Sequence, residues 1–220
     1  MDQKIGAFFD FDETLLDTES SRLGIKYLWE RRLVSRTFIL KAFMAGFLYK
    51  RHWITDEQTA KILLKLYRNR RLDEFVEGSE AFYREILKPR LAPKILAKVY
   101  EHRDQGHSLV LISGSLRYML EPVARDLGFE HLLCTDLEQN DDGLLTGKPK
   151  GPLCLDTTKR HLATELARQT GIDLARSYAY GNHQADLPLL ELVGFPHAVE
   201  PSKPLLKVAK VKNWPILAYR

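Results

Sequence analysis

Two aspartates with one residue between them, Asp10 and Asp12, follow directly on the apolar run Ile5-Gly6-Ala7-Phe8-Phe9. Side chains in a strand repeat with period two, so the two carboxylates converge on one side if extended geometry persists there. Converging carboxylates repel, and a hard divalent cation offsets that charge. Mg²⁺ typically takes one or two carboxylates with waters and phosphate oxygens. The same residues also suit a helix N-terminus at which Asp12 caps the segment from Leu15 onward.

Three further fragments carry chemistry. Ile112-Ser113-Gly114-Ser115 closes a second apolar run and leads into a helical pattern. A hydroxyl, a small residue and the first free N–H groups of a helix make a phosphate seat, and they equally make an ordinary Ser N-cap. Lys159 stands in the first turn of another helical pattern, where the macrodipole disfavours a cation. A role in pairing an anion accounts for that placement, as does a solvated surface position, and Lys148 and Lys150 on the preceding loop compete for the role. Gly143 to Lys148 is not a P-loop, because only three residues separate its glycines and Pro149 stands where Ser or Thr is required. In Tyr180-Gly181-Asn182-His183-Gln184-Ala185-Asp186, an amide and a carboxylate after a Gly turn would complete an oxygen-rich set opposite Asp10 and Asp12. As an isolated fragment the motif also fits an Asx-type turn entering a helix. His183 has no Cys or carboxylate at ligand or triad spacing and reads as a surface residue.

The elements that must position these residues are legible as short apolar runs rich in β-formers: Ile5 to Phe9, Leu109 to Ile112, Leu132 to Thr135 and Ser177 to Tyr180. Helical stretches lie between them, Leu116 to Leu127 closed by Gly128 and Thr158 to Gln169 closed by Gly171. This βαβ alternation predicts an α/β fold with a doubly wound, mostly parallel sheet, whose ligands bind beyond the carboxyl ends of the strands. Residues 17–88 interrupt it with helical periodicity and no convincing strand, which predicts an inserted helical cap between core segments 1–16 and 89–220. Leu137 to Thr146, around Asn140-Asp141-Asp142-Gly143, reads as a hairpin.

In order and placement, the D-x-D-x-T-L after the first strand, the Ser-Gly-Ser after the second, the downstream Lys and the G-N-x-x-x-D after the last resemble the haloacid dehalogenase (HAD) superfamily of phosphatases. The 22 residues from Lys159 to Gly181 are similar to the phosphoserine-phosphatase-like branch, subfamily IB, and the helical insertion sits where that branch places its cap. The resemblance extends over essentially the whole chain. It implies Asp10 as a nucleophile that forms an aspartyl-phosphate and ligates Mg²⁺, and Asp12 as general acid and base that also contributes its main-chain oxygen to the metal. It implies Ser113 and Gly114 as phosphate binders and Lys159 as partner of Asp10 and the phosphoryl group. The last motif, with Asn182 and Asp186, implies further metal ligands. Glu19 stands where phosphoserine phosphatases have a Glu that reads the substrate amine. One departure is Asn182, since the family usually has Asp there; an amide oxygen ligates Mg²⁺ without adding negative charge. The expected activity is Mg²⁺-dependent hydrolysis of a small phosphorylated metabolite. The competing reading is a catalytically weakened HAD fold that binds a phosphorylated ligand or a partner.

Length and composition are consistent with this. The 220 residues suit one domain plus an appendage, and 45% apolar with 28% charged residues matches a globular chain. A net charge of +4 favours anionic partners only mildly, and dispersed basic residues on no recognisable motif argue against nucleic acid. Two cysteines, Cys134 and Cys154, form no disulfide framework, and Met1 to Lys4 leads into no signal-peptide pattern, so a cytoplasmic location is expected. Thr37 to Tyr49 is the most membrane-like stretch; it is too short to span a bilayer, though long enough to lie on one.

Overall fold

In a computed structural model, which describes residues 4–51 and 53–220, the chain alternates strands and helices around one sheet. Met1 to Gln3, part of the segment read as lacking a leader, lie outside the described residues. Among the described residues five α-helices follow β1 (Gly6–Phe9): α1 (Ser20–Glu30), α2 (Arg36–Lys50), α3 (Asp56–Lys65), α4 (Asp73–Val76) and α5 (Ser79–Phe82). The chain continues with α6 (Pro93–Asp104), β2 (Ser108–Leu116), α7 (Arg117–Leu127) and β3 (His131–Thr135), then the strands β4 (Leu137–Gln139) and β5 (Leu145–Pro149). It ends with α8 (Thr157–Thr170), β6 (Tyr178–Gly181), α9 (Leu187–Leu190), β7 (Phe195–Val199), α10 (Lys203–Val211) and β8 (Ile216–Leu217).

The six-stranded sheet has the order β3-β2-β1-β6-β7-β8, and every pairing in it is parallel. All four residues of β1 are buried, because helices cover both faces; its sequence is therefore a continuous apolar run with no polar alternation. Chain order reverses between β1 and β6, so the crevice beyond their carboxyl ends is a topological switch point. α7 and α8 end on Gly128 and Gly171, both left-handed, as expected from their sequences.

β7 and β8 are additions to the four expected strands, and they extend the sheet on the β6 side. The Ser113-Gly114-Ser115 segment also differs from expectation. β2 continues to Leu116 with a register break between Ser113 and Leu116, so these residues sit on a bulged strand end and α7 begins only at Arg117.

The segment between β1 and α6 is helical, and among the described residues none of it pairs into the main sheet. The chain leaves and returns side by side, with Asp17 N–H donating to Arg90 O (3.0 Å) and Ala92 N–H to Leu15 O (2.9 Å). The β4–β5 hairpin meets the insertion through Asn69 N–H to Leu145 O and Leu145 N–H to Arg70 O, each 2.8 Å.

Candidate active site

The backbone stays extended through Asp10 (φ −70°, ψ 157°), whose N–H donates to Tyr180 O at 3.0 Å and carries the β1–β6 pairing one step further. The chain then turns tightly through Glu13, at φ 52°. This turn brings Thr14 back under Asp10, and Thr14 Oγ1 donates to Asp10 Oδ2 at 3.1 Å. Lys159 reaches in from the first turn of α8 and donates to Asp10 Oδ1 at 2.6 Å. Both oxygens of a buried carboxylate are thus oriented by donors.

Lys159 is itself buried and donates to Asp186 Oδ1, also at 2.6 Å. Lys148 and Lys150, its competitors by sequence, are exposed. The other oxygen of Asp186 accepts from Asn182 N–H (3.1 Å) and His183 N–H (3.0 Å). Gly181 makes this fold-back sterically feasible: a Cβ there would stand 2.7 Å from the Asp186 Cβ. Asp186 thereby holds the turn and the lysine together, and the turn continues into a short 3-10 segment and α9.

Two carboxylates share one ammonium, which leaves the cluster with surplus negative charge. Burial first, and then the nearby Asp186 and Asp12 charges, push the Asp10 carboxyl up to about 7, against the opposing pull of Lys159. The two carboxylates in turn hold Lys159 in its charged form against burial.

Asp12 is only partly buried and is held differently. Its Oδ1 accepts from Ser20 N–H at the start of α1, and its Oδ2 accepts from Ser115 Oγ at 2.5 Å. Ser20 Oγ and Ser115 Oγ are themselves 2.8 Å apart. The Asp12 side chain therefore serves the first turn of α1 and does not cap a helix from Leu15. Ser113 is buried and its Oγ accepts from Ser115 N–H at 3.1 Å. At Gly114 a Cβ would stand 2.6 Å from Leu155 Cδ2.

The structure brings Asp10, Lys159 and Asp186 into direct contact, and Asn182 into contact with Asp186 through its N–H. The Asn182 carboxamide nitrogen donates to Glu13 Oε2 at 3.3 Å, so its oxygen is the atom left to act as a ligand. Glu19 forms no side-chain cap on α1; partial burial together with Glu13 and Asp12 raises its carboxyl, opposed by Lys50 and Arg22. Sequence reasoning passed over Thr14, Ser20 and Glu13. Only Thr14 had a local signal, as the Thr of D-x-D-x-T; the other two depend on how the chain turns back from the insertion.

Among the described residues no three of His, Cys, Asp and Glu form a ready cluster for a metal. The ligand atoms that Asp10, Asp186 and Asn182 can offer are nonetheless all oxygens, and two of these side chains are carboxylates that share the single Lys159 ammonium. That set suits a hard cation such as Mg²⁺. A cleft of about 380 Å³, lined by Tyr49, Trp53, Ile54, Thr55, Asp56 and His183, opens beside the last motif between the insertion and the sheet.

Residues 7–191 match the model of the haloacid dehalogenase-like hydrolase family. The chain is 30% identical, over 98% of its length and 79% of the relative's, to the inhibition of morphological differentiation protein of Streptomyces azureus. It is 29% identical to a histidinol-phosphatase of Neisseria meningitidis, over 97% of this chain and 98% of that one. Among solved structures, a protein of unknown function from Bordetella pertussis Tohama I aligns with a TM-score of 0.89 at 27% identity, covering 99% of this chain and 100% of the other.

Proposed function

Because the chain belongs to the haloacid dehalogenase-like hydrolase family, we propose that it is a Mg²⁺-dependent phosphomonoester hydrolase working through an aspartyl-phosphate on Asp10. The observation that supports this most is the pair of donors on Asp10, with Lys159 on one oxygen and Thr14 on the other. A carboxylate fixed in this way presents one defined lone pair, and phosphoryl transfer depends chiefly on positioning and charge neutralisation.

In the first step an Asp10 oxygen bonds to phosphorus as the ester P–O bond breaks, and Asp12 as an acid gives its proton to the departing alkoxide. In the second, Asp12 takes a proton from water, the water oxygen bonds to phosphorus, and the P–O bond to Asp10 breaks. The Ser113 hydroxyl and the Gly114 N–H bind phosphoryl oxygens, while the Lys159 ammonium faces the charge that develops there. Asp186 keeps Lys159 in place. The Asp10 carboxylate, the Asp12 main-chain oxygen and Asn182, with Asp186 nearby, would hold Mg²⁺, which when bound neutralises phosphoryl charge. We assign residues 1–16 and 89–220 to the catalytic core and 17–88 to a cap packed against it. To the cleft between them we assign the leaving group of a small phosphorylated metabolite, and to Glu19 the role of meeting an amine on it.

Asp10→Asn tests the mechanism. Phosphate release from a panel of small phosphate esters should fall by roughly a thousandfold or more, with the far-UV spectrum unchanged. Near wild-type release from this variant, or fluoroberyllate bound to another residue, would sink the assignment.

A further inference from the structure

The 25-residue stretch 31–55 contains six Lys and Arg and no Asp or Glu, in a chain that has 29 acidic residues overall. All six cations, Arg31, Arg32, Arg36, Lys41, Lys50 and Arg51, are exposed. Among the described residues only Arg31 of these is in an ion pair, 3.6 Å from Glu85. The same stretch contains α2, whose two faces are inverted relative to its composition. Phe38, Ala42 and Ala45 are buried against the insertion. Leu40, Phe43, Met44 and Phe47, spaced i, i+3, i+4 and i+7, form a stripe roughly half a turn away that faces outward. Phe43 is 70% exposed and Leu40 62%, and the stripe continues into Trp53, also 70% exposed, which stands edge-on to Phe47.

At 3.6 residues per turn, Arg36 and Lys50 fall on the same side as the stripe at its two ends, and Lys41 lies on its flank. An apolar stripe bracketed by long cationic side chains, with aromatic residues at its end, is what an interfacial helix needs. The rings enter the acyl boundary while the cations extend to the headgroups. Spanning is excluded by length, since 15 residues rise only about 22 Å, and among the described residues no helix is long and apolar enough to cross a membrane. A second copy of this chain is a poor occupant, because a two-fold contact on the stripe would bring Arg36 and Lys41 of one copy near those of the other.

We propose that α2 and Trp53 form a docking surface for a membrane rich in anionic lipid, lying in the plane of the headgroups. The charge pattern selects the anionic surface and the exposed rings supply the anchor. The cleft beside the last motif shares Trp53 and Tyr49 with this segment, so docking brings its mouth close to the membrane. None of this depends on the catalytic reading.

Co-sedimentation with extruded vesicles tests it. The protein should bind vesicles of equimolar phosphatidylcholine and phosphatidylglycerol about tenfold or more tighter than vesicles of phosphatidylcholine alone, and lose that preference at high salt. The double variant Phe43→Ser, Phe47→Ser should abolish sedimentation, and Arg36→Gln with Lys41→Gln should weaken it for the mixed vesicles only. All these side chains are exposed, and unchanged thermal melts verify that the variants fold. Absence of binding to the mixed vesicles overturns the proposal, as does a double serine variant that still binds them. So does a wild-type dimer in sedimentation equilibrium that the double serine variant turns into a monomer, since a second copy would then cover the face.

Discussion

Asn182 stands where the family resemblance leads one to expect Asp, and its surroundings sharpen what a carboxylate there would do. Its nitrogen donates to Glu13 Oε2, so Asn182→Asp would set two carboxylates against each other with no proton between them. Without Mg²⁺ this variant should melt below wild type; with Mg²⁺ it should recover that loss. Half-maximal phosphate release should need roughly 10 to 100-fold less Mg²⁺. Melting curves and activity titrated with Mg²⁺ check both, and a variant whose melting ignores the ion would remove Asn182 from the ligand set. A weakened-enzyme reading expects instead that Asn182→Asp creates activity from almost none. At this scale the sequence was informative where a residue type is unusual for its place. A lysine in a first helical turn, and a Gly followed five residues later by Asp, each point to a partner. It was silent on Ser20 and Glu13, whose roles arise from a left-handed turn at Glu13 and the return of the chain at α1. The residue types alone left Lys148 and Lys150 in competition with Lys159; the resemblance singled out Lys159, which is the buried one of the three.

Elements were legible in proportion to how completely they are covered. β1, β2, β3 and β6 read as apolar runs because they lie between two helical layers or close to them. β7 escaped notice because Pro196 and His197 break its apolar pattern, and β8 has only two residues. The side of the sheet they build also holds a polar device. His102 on α6 is buried, with Nε2 2.8 Å from Tyr180 Oη on β6 and Nδ1 2.8 Å from His107 Nδ1. Burial, and then the neighbouring His107 and His197, push its pKa down to about 4. Its folded value thus lies below its unfolded one. Between about 6.5 and about 4 the unfolded chain binds a proton there that the native state refuses. The stability from neutral His102 is therefore complete above that window and is lost as pH falls through it. Melting temperature should drop on acidification across this range, and His102→Gln should flatten the slope while lowering stability at neutral pH. An unchanged slope in the variant would place the acid sensitivity elsewhere.

At the scale of the whole molecule, the helical insertion is not packed as a detachable lid. One continuous hydrophobic cluster runs from the sheet residues Phe9 and Leu111 through Tyr118, Leu120 and Val123 of α7 into Tyr27, Phe38, Leu64, Phe75 and Phe82 of the insertion. A second cluster, with Phe8, Val110, Ile112, Ala163, Leu189 and Leu205, fills the opposite face of the sheet. Polar contacts follow the first route: Tyr67 Oη lies 3.1 Å from Tyr118 Oη, and Tyr83 Oη donates to Asp126 Oδ2 at 2.5 Å. α1 approaches α7 closely at Gly24, where a Cβ would stand 3.0 Å from Met119 Cε. Helical periodicity in residues 17–88 predicts an insertion, but not that its apolar face is shared with the core, since periodicity marks a buried face without naming what buries it. A shared cluster couples the two parts, because neither can open without exposing the rings of the other. The expected outcome is a single cooperative melting transition. Fluorescence can separate the parts, since Trp29 and Trp53 lie in the insertion and Trp214 in the core. A Trp29→Phe, Trp53→Phe variant and a Trp214→Phe variant should each melt in step with their own far-UV signal. Tyr118→Ala removes the ring at the junction and should lower both midpoints together, by roughly 10 °C. Two separated transitions, or a Tyr118→Ala shift confined to one reporter, would mean that the insertion folds on its own and that the shared cluster contributes little coupling.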